Sequence, residues 1–398
     1  MSVKTYDDPR LREQRPVIDR HRAARGARLA GAGFFLALAA VVVLTLASSD
    51  SDAGSGAAAL PERAASRSVA PAGGAARRSA GVAIAATGDI TLGSTPVLPP
   101  DGARALFADV ERELRGDLVL GNLETALTDS GTSKCGPGST SCFSFRAPPA
   151  YARRLEEAGF TMLNLANNHS FDFGAAGQTE TVEALDTARL GHTGRPGEVA
   201  YEQGGTVRVA VLGFAPYPWA QSMLDLDAAR RLVSRAAATA DLVVVTVHAG
   251  AEGNAATRVP HGPEHYAGEA RGDSRAFAHA VVDAGADLVV GHVPHVLRGI
   301  EWYRGRLVAY SLGNFSSYRN LALSGPSGIG GILQVSLGGD GAWRGGRLVP
   351  VRLVGDGTPL LDPLGAAVDA VHSLSHADFG PNAVRVADDG ALGPPSPG

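Results

Sequence analysis

Five short apolar runs in this chain each end in side chains that ligate divalent metals or move protons. Leu288–Val290 leads into Gly-His-Val-Pro-His (291–295). Asp89 follows Val82–Ala86, and Asn122 and Glu124 follow Asp117–Leu120. Asn168 and His169 follow Thr161–Leu165, and His248 follows Leu242–Val247. Neutral imidazole is a common transition-metal ligand. Carboxylate, amide and imidazole together suit Zn, Mn, Fe or Mg rather than soft copper. Gly291 lets the backbone turn where a side chain would obstruct it, and Pro294 stiffens the loop that carries His292 and His295. Each group alone admits a plain structural role: Asp89 as a turn cap, Asn122, Asn167 and Asn168 as turn residues, His169 and His248 as satisfied core histidines. Their shared address argues for one centre, because open α/β sheets form sites outside the carboxyl ends of their strands.

The pattern has an electrostatic reading. If Asp89 bridges two divalent ions, Glu124 and His295 complete one site, and Asn168, His248 and His292 the other. Two carboxylates against two such ions leave a net charge of about +2 for a hydroxide and an anionic substrate. Phosphoryl transfer and amide hydrolysis both fit that field. One ion or two, drawn from Mn, Zn, Fe or Mg, is the expected cofactor.

The elements that must position these groups follow from the apolar patterning. Val82–Ala86, Asp117–Leu120, Thr161–Leu165, Val207–Gly213, Leu242–Val247 and Leu288–Val290 read as strands, the fifth wholly apolar and of the buried kind. Ala103–Arg115, Tyr151–Ala158, Ala175–Ala188, Asp227–Ala240 and Ser274–Ala284 have helical spacing. Leu307–Tyr310, Ile329–Leu337 and Leu348–Leu353 add strands without long helices between them. The order predicts an α/β protein with a central mixed sheet or two stacked sheets.

Outside that region the chain changes character. Residues 1–28 are rich in arginine, and Leu29–Ser49 carries no charge and is long enough to span a bilayer. The basic excess orients such a span with the N-terminus in the cytoplasm and the C-terminal domain outside. The expectation is a single-pass signal anchor at 29–49 in the cell membrane; a secretory signal cut near Ala47 is the alternative. Residues 50–80 read as a flexible linker, 81–387 as the folded domain and 388–398 as a disordered tail. The net charge of -4 gives no argument for nucleic acid. Cys135 and Cys142, the only two cysteines, flank a short Gly-rich loop. They are expected to form a disulfide stapling a surface insertion, which an external compartment would preserve.

Six segments carry a family resemblance: Thr-Gly-Asp-Ile (87–90), Gly-Asn-Leu-Glu (121–124), Ala-Asn-Asn-His-Ser-Phe-Asp-Phe-Gly (166–174), His-Ala-Gly-Ala-Glu (248–252), Gly-His-Val-Pro-His-Val (291–296) and Tyr-Ser-Leu-Gly-Asn-Phe (310–315). In this order, over roughly Val82 to Val354, they resemble the CapA family of poly-γ-glutamate capsule proteins, themselves similar to calcineurin-like metallophosphoesterases. The resemblance implies a four-layer αββα sandwich of the metallophosphoesterase type. It implies His169 beside the metals, bonded to a substrate oxygen or leaving group, with Asp172 orienting it. It also implies a place in capsule or surface-polymer biosynthesis, with an anionic polymer as substrate and a membrane synthase or export complex as partner. There is a departure. Thr91 stands where the phosphoesterase pattern has a histidine after the first strand, and Asn122 and Glu124 replace an aspartate pair. One metal site therefore has a thinner shell.

Two functional classes remain. A metal-dependent hydrolase acting on a phosphoester or γ-glutamyl amide is favoured by His169, which is placed for proton transfer. A non-catalytic, metal-dependent module that binds or exports polymer is favoured by Thr91. His261, Glu264 and His265 lie in a loop expected near the site and read as solvated, and Asn314 is expected to hold site backbone without chemistry of its own.

Overall fold

The structure, a computed structural model, describes residues 80–136, 139, 142–321 and 323–396. The expected basic segment and membrane span, and residues 50–79 of the linker, lie outside the described residues. Among the described residues no helix is long and apolar enough to cross a membrane.

The chain runs through β1 (Gly81–Thr91), β2 (Leu118–Leu123), the short pair β3 (Ala126–Leu127) and β4 (Arg146–Ala147), helix α1 (Ala152–Ala158), β5 (Met162–Asn164) and α2 (Gly174–Thr187). It continues through β6 (Gly191–Thr193), β7 (Ala200–Gly204), β8 (Val207–Phe214), α3 (Leu226–Ala237), β9 (Leu242–His248), the hairpin β10 (Glu264–Tyr266) and β11 (Glu269–Gly272), and α4 (Ser274–Asp283). The last part holds β12 (Leu288–His292), β13 (Ile300–Tyr303), β14 (Arg306–Ala309), β15 (Asn314–Ser317), β16 (Ile329–Gly338), β17 (Trp343–Val354), β18 (Thr358–Leu361), α5 (Ala366–Phe379), β19 (Arg385–Val386) and β20 (Ala391–Gly393).

Two mixed sheets result. One has the order β19-β20-β17-β16-β1-β2-β5-β6, with β15 on β1 and β18 on β17; the other is β13-β14-β12-β9-β8-β7. Period-two alternation gives each sheet two apolar faces. Val82, Ile84, Leu118 and Leu120 of the first sheet meet Val209, Val211, Val244 and Val290 of the second in one buried core. Ala85, Val119 and Leu163 point the other way, under Leu155 of α1 and Leu185 of α2. Leu212, Val243 and Val245 pack under Val233 of α3 and Phe277 of α4. These are the four layers, α-β-β-α, that the motifs imply. Helix α5 adds Val368 and Val371 to the inter-sheet core.

Two sequence expectations are corrected. Ala103–Arg115 forms a series of turns rather than an α-helix, with Val110 N–H donating to Phe107 and Glu113 N–H to Val110. Its apolar spacing buries Leu106, Phe107, Val110 and Leu114 without needing a regular helix. The tail expected to be disordered from 388 instead contains β20, which pairs with β17 and buries Leu392 in the inter-sheet core. Residues 397 and 398 lie outside the described set.

Candidate metal centre

Strand register brings the polar residues together. In the first sheet Asp89 lies opposite Asn122 on β2 and opposite Asn314 on β15. Asn122 in turn lies opposite Asn164 on β5. In the second sheet His248 lies opposite His292. Pairing along β1 slips between Ala86 and Asp89, at Gly88. There a Cβ would sit 1.9 Å from the Gly313 carbonyl oxygen, so only glycine permits this approach of β1 to the segment before β15. Gly291 is needed for the same kind of reason, since its Cβ would lie 2.2 Å from the Tyr310 carbonyl. The loop beyond it is strained as well as stiff: Val293 has φ 102° and His295 φ 55°. Such a φ is a true outlier for a β-branched residue and occurs where the surroundings enforce it. Val293 N–H donates to Asp89 Oδ2 at 3.4 Å.

The resulting cluster is dry and crowded with donor atoms. Asp89 and Glu124 have no solvent exposure, and His248 and His292 are 1% exposed. Ligating atoms of Asp89, Glu124 and His248 lie within 4.8 Å of one another. His295 Nδ1 is 3.1 Å from Asp89 Oδ2 and 3.9 Å from Glu124 Oε2. His292 Nδ1 is 3.5 Å from Asp89 Oδ1. His248 Nε2 lies 3.3 Å from Glu124 Oε1 and 3.0 Å from Asn168 Oδ1. Glu124 thus sits between His248 and His295 rather than beside His295 alone. All six expected ligands, Asp89, Glu124, Asn168, His248, His292 and His295, converge here.

Supporting groups fix the rings and carboxylates. Asn122 donates to Asp89 Oδ1 at 2.8 Å, and its own oxygen accepts from Asn164 and Asn167. His292 Nε2 is 2.9 Å from the Thr246 hydroxyl, and His295 Nδ1 is 3.0 Å from Asn314 Oδ1. Three buried atoms of the cluster have no hydrogen-bond partner among the described residues: both Glu124 oxygens and His292 Nδ1. An unsatisfied buried carboxylate is costly. A divalent cation is one species that could satisfy these atoms together with the Asp89 carboxylate.

The field agrees. Burial, reinforced by the nearby Asp89 charge, drives the Glu124 carboxyl well above its ordinary range. Burial works the same way on Asp89, yet the adjacent His292 and His295 rings hold it well below that range. Burial also opposes charge on His295, but Glu124 and Asp89 together push it up to about 10. Desolvation keeps His248 well below the usual histidine value. The centre attracts positive charge and leaves His248 neutral, as a ligand must be.

His169 and Asp172 form a pair beside this cluster. His169 Nδ1 lies 2.8 Å from Asp172 Oδ2, and its ring stacks on Phe145 at 4.2 Å. Asp172 Oδ2 also accepts from Phe145 N–H, and Oδ1 meets Lys134 Nζ at 2.6 Å. Lys134 additionally donates to the Asn168 carbonyl. Cys135 and Cys142 form the expected disulfide, with Cα atoms 5.5 Å apart. Lys134 and Phe145, on either side of the disulfide in sequence, touch the His169–Asp172 pair. His261 and His265 are exposed, as a solvated loop requires. Glu264 is consumed by Arg298, with contacts at 2.6 and 2.9 Å. Sequence reasoning missed Lys134, Thr246 and Asn164, which lack any motif spacing.

Fold and site together define a class: an αββα sandwich with a buried carboxylate–imidazole cluster where strand ends of both sheets meet. Residues 83–319 match the family model described as bacterial capsule synthesis protein PGA_cap, and the chain belongs to that family. It is 38% identical over 185 residues to "Capsule biosynthesis protein CapA" of Bacillus anthracis, covering 41% of each chain. It is 32% identical over 248 residues to "PGA biosynthesis protein CapA" of Bacillus subtilis, covering 57% of this chain and 61% of that one. A "Probable polyglutamine synthesis accessory protein" of Mycobacterium tuberculosis is 31% identical over 231 residues, covering 50% of this chain and 55% of the relative. The matched region therefore spans about two fifths to three fifths of these relatives' lengths. The resemblance to CapA proteins is borne out. A 5'-nucleotidase precursor from Thermus thermophilus superposes with a TM-score of 0.37 and 14% identity, covering 75% of this chain and 59% of that one, too distant to argue from.

Proposed function

We propose that this chain is a membrane-anchored, extracytoplasmic protein of poly-γ-glutamate biosynthesis whose domain is a divalent-metal-dependent hydrolase. The single observation that carries the metal reading is the Glu124 carboxylate, fully buried with both oxygens unpartnered between two imidazoles. Asp89, Glu124, Asn168, His248, His292 and His295 would hold one or two ions, with Mn, Zn, Fe and Mg all compatible with this donor set. Such an ion supplies Lewis acidity and an acidified water. His169, with Nδ1 on Asp172, keeps Nε2 for taking or giving a proton on a substrate oxygen or leaving group. Lys134 and Phe145 hold the pair in place. The names of the Bacillus relatives support the polymer, and the disulfide fits an oxidising compartment outside the membrane. The polymer's synthase or export complex is the expected partner.

One observation favours a binding module instead. Thr91 is buried, with its hydroxyl 3.5 Å from the Ser316 carbonyl, and offers no imidazole. The test is elemental analysis of purified protein, followed by incubation with γ-glutamyl polymer and with phosphodiesters. Hydrolysis abolished by Asp89→Ala and by His292→Ala is the expected result. EDTA-sensitive polymer retention without cleavage would establish the binding module. Absence of any bound or bindable divalent metal would end both readings.

A further inference from the structure

A second set of buried donors lies next to the cluster and is used by nothing described so far. Tyr217 is 7% exposed, and its ring centroid is 6.4 Å from that of His248. Its hydroxyl has no hydrogen-bond partner among the described residues. Arg271 is 4% exposed, with its guanidinium carbon 5.9 Å from the Tyr217 ring, and its Nε is likewise without a partner. Two unpartnered donors, each more than nine-tenths buried, are rare in one place. Arg271 stands close enough for its charge to act on both Glu124 and His248.

The fold holds these donors firmly. Arg271 sits on β11, and its carbonyl accepts from Gly250 N–H two residues beyond His248. Glu264 of β10 accepts from Ala251 N–H and is itself clamped by Arg298. The hairpin is therefore fastened to the loop that follows His248. Tyr217 is stacked on Trp219 at 5.2 Å, and Trp219 Nε1 donates to the Asn167 carbonyl. Both Nη groups of the guanidinium are occupied: Nη1 meets Glu252 at 2.6 Å and Nη2 meets Glu269 at 3.2 Å. Those carboxylates neutralise the cation without using Nε–H. What remains is a pair of fixed donors rather than a free positive charge.

We propose that Tyr217 and Arg271 form an oxygen-binding subsite beside the metal cluster, the phenol O–H and the guanidinium Nε–H both donating to the reacting acyl or phosphoryl group of the substrate. The inference rests on the metal reading above and adds to it a recognition element that none of the six motifs contains. Donors preorganised in a dry site hold a substrate oxygen without reorganising.

The test uses the full chain and two titrations by calorimetry: Mn²⁺ alone, then inorganic phosphate on the Mn²⁺-loaded protein. Tyr217→Phe removes only the unpartnered hydroxyl. It weakens phosphate binding by about 5- to 30-fold, leaves Mn²⁺ affinity unchanged and does not lower the melting temperature. Arg271→Lys keeps the charge, loses the Nε–H and weakens phosphate in the same direction. Phosphate affinity unchanged in Tyr217→Phe, with Mn²⁺ still bound, overturns the subsite and leaves the metal reading standing. Failure of the wild-type chain to bind Mn²⁺, and equally Zn²⁺, Fe²⁺ and Mg²⁺, overturns both.

Discussion

At the scale of the residue, Glu124 has the least ordinary surroundings in the centre. Its carboxylate is buried with neither oxygen bonded, and Asp89 raises its proton affinity further. Replacing a buried, unsatisfied group by a neutral isostere is often neutral or stabilising when no counter-ion is present. Glu124→Gln is therefore expected to match or exceed wild-type melting temperature in EDTA. It is expected to lose most of the stabilisation that saturating Mn²⁺ gives the wild type, which at 100 times Kd is about 2.7 kcal/mol. Differential scanning fluorimetry with and without Mn²⁺ reads both; a variant that still gains the full Mn²⁺ increment shows that Glu124 is no ligand. Asp172 invites a separate comparison. It bonds His169, Phe145 N–H and Lys134 at once, so Asp172→Asn is expected to impair turnover by about 10²–10⁴-fold. Its Mn²⁺ affinity should hold, and steady-state kinetics beside the same titration separates the two.

At the scale of the element, Gly88 lets β1 deliver Asp89. A methyl group there collides with the Gly313 carbonyl, so β1 and the chain before β15 must part. Gly88→Ala is expected to cost about 1–3 kcal/mol of stability and to weaken Mn²⁺ binding, because Asp89 is the next residue. Unchanged Mn²⁺ affinity in a folded Gly88→Ala protein would mean that the slip in β1 does not set the site. The turn between β6 and β7 carries a pH-dependent contact. Burial would raise Glu198, yet hydrogen bonds with His192 and Arg195 pull its carboxyl down to about 2. A folded value below the unfolded one contributes stability that is complete above pH ~5 and fades as pH falls toward 2. Discounted for partial exposure, it amounts to about 1–2 kcal/mol. Urea melts of Glu198→Gln and wild type should differ by that amount at pH 7 and converge near pH 2.

The same elements show what the chain reveals unfolded. Alternation in Val82–Ala86 and the apolar run Leu242–Val247 placed the strands, and their polar ends named the cluster, because strand ends in such sheets share one edge. Ala103–Arg115 misled because apolar spacing reports burial, and consecutive turns bury Phe107 and Val110 as well as a helix does. Helix α5 escaped because Ala, Ser and His dominate it, with little apolar contrast between its faces. Lys134, Tyr217 and Arg271 were invisible for another reason. Each sits in a loop or short hairpin, and only tertiary packing brings it to the centre.

At the scale of the whole molecule, the centre straddles the join between layers. Asp89, Asn122 and Glu124 come from β1, β2 and the residue after β2 in the first sheet; His248 and His292 come from β9 and β12 in the second. Apart from that cluster and the Thr193 hydroxyl, which bonds Val211 and Gly213 across the gap, the contact between the two sheets includes a broad nondirectional apolar core, which resists separation better than it resists sliding. An ion gripped from both sides would act as a rivet. Stripping it with EDTA should then speed amide deuterium uptake along β1 and β9 together, in the deepest layers, while α2 and α3 on the outer surfaces exchange as before. Uptake that changes in one sheet alone would mean the two slabs are not pinned to each other there.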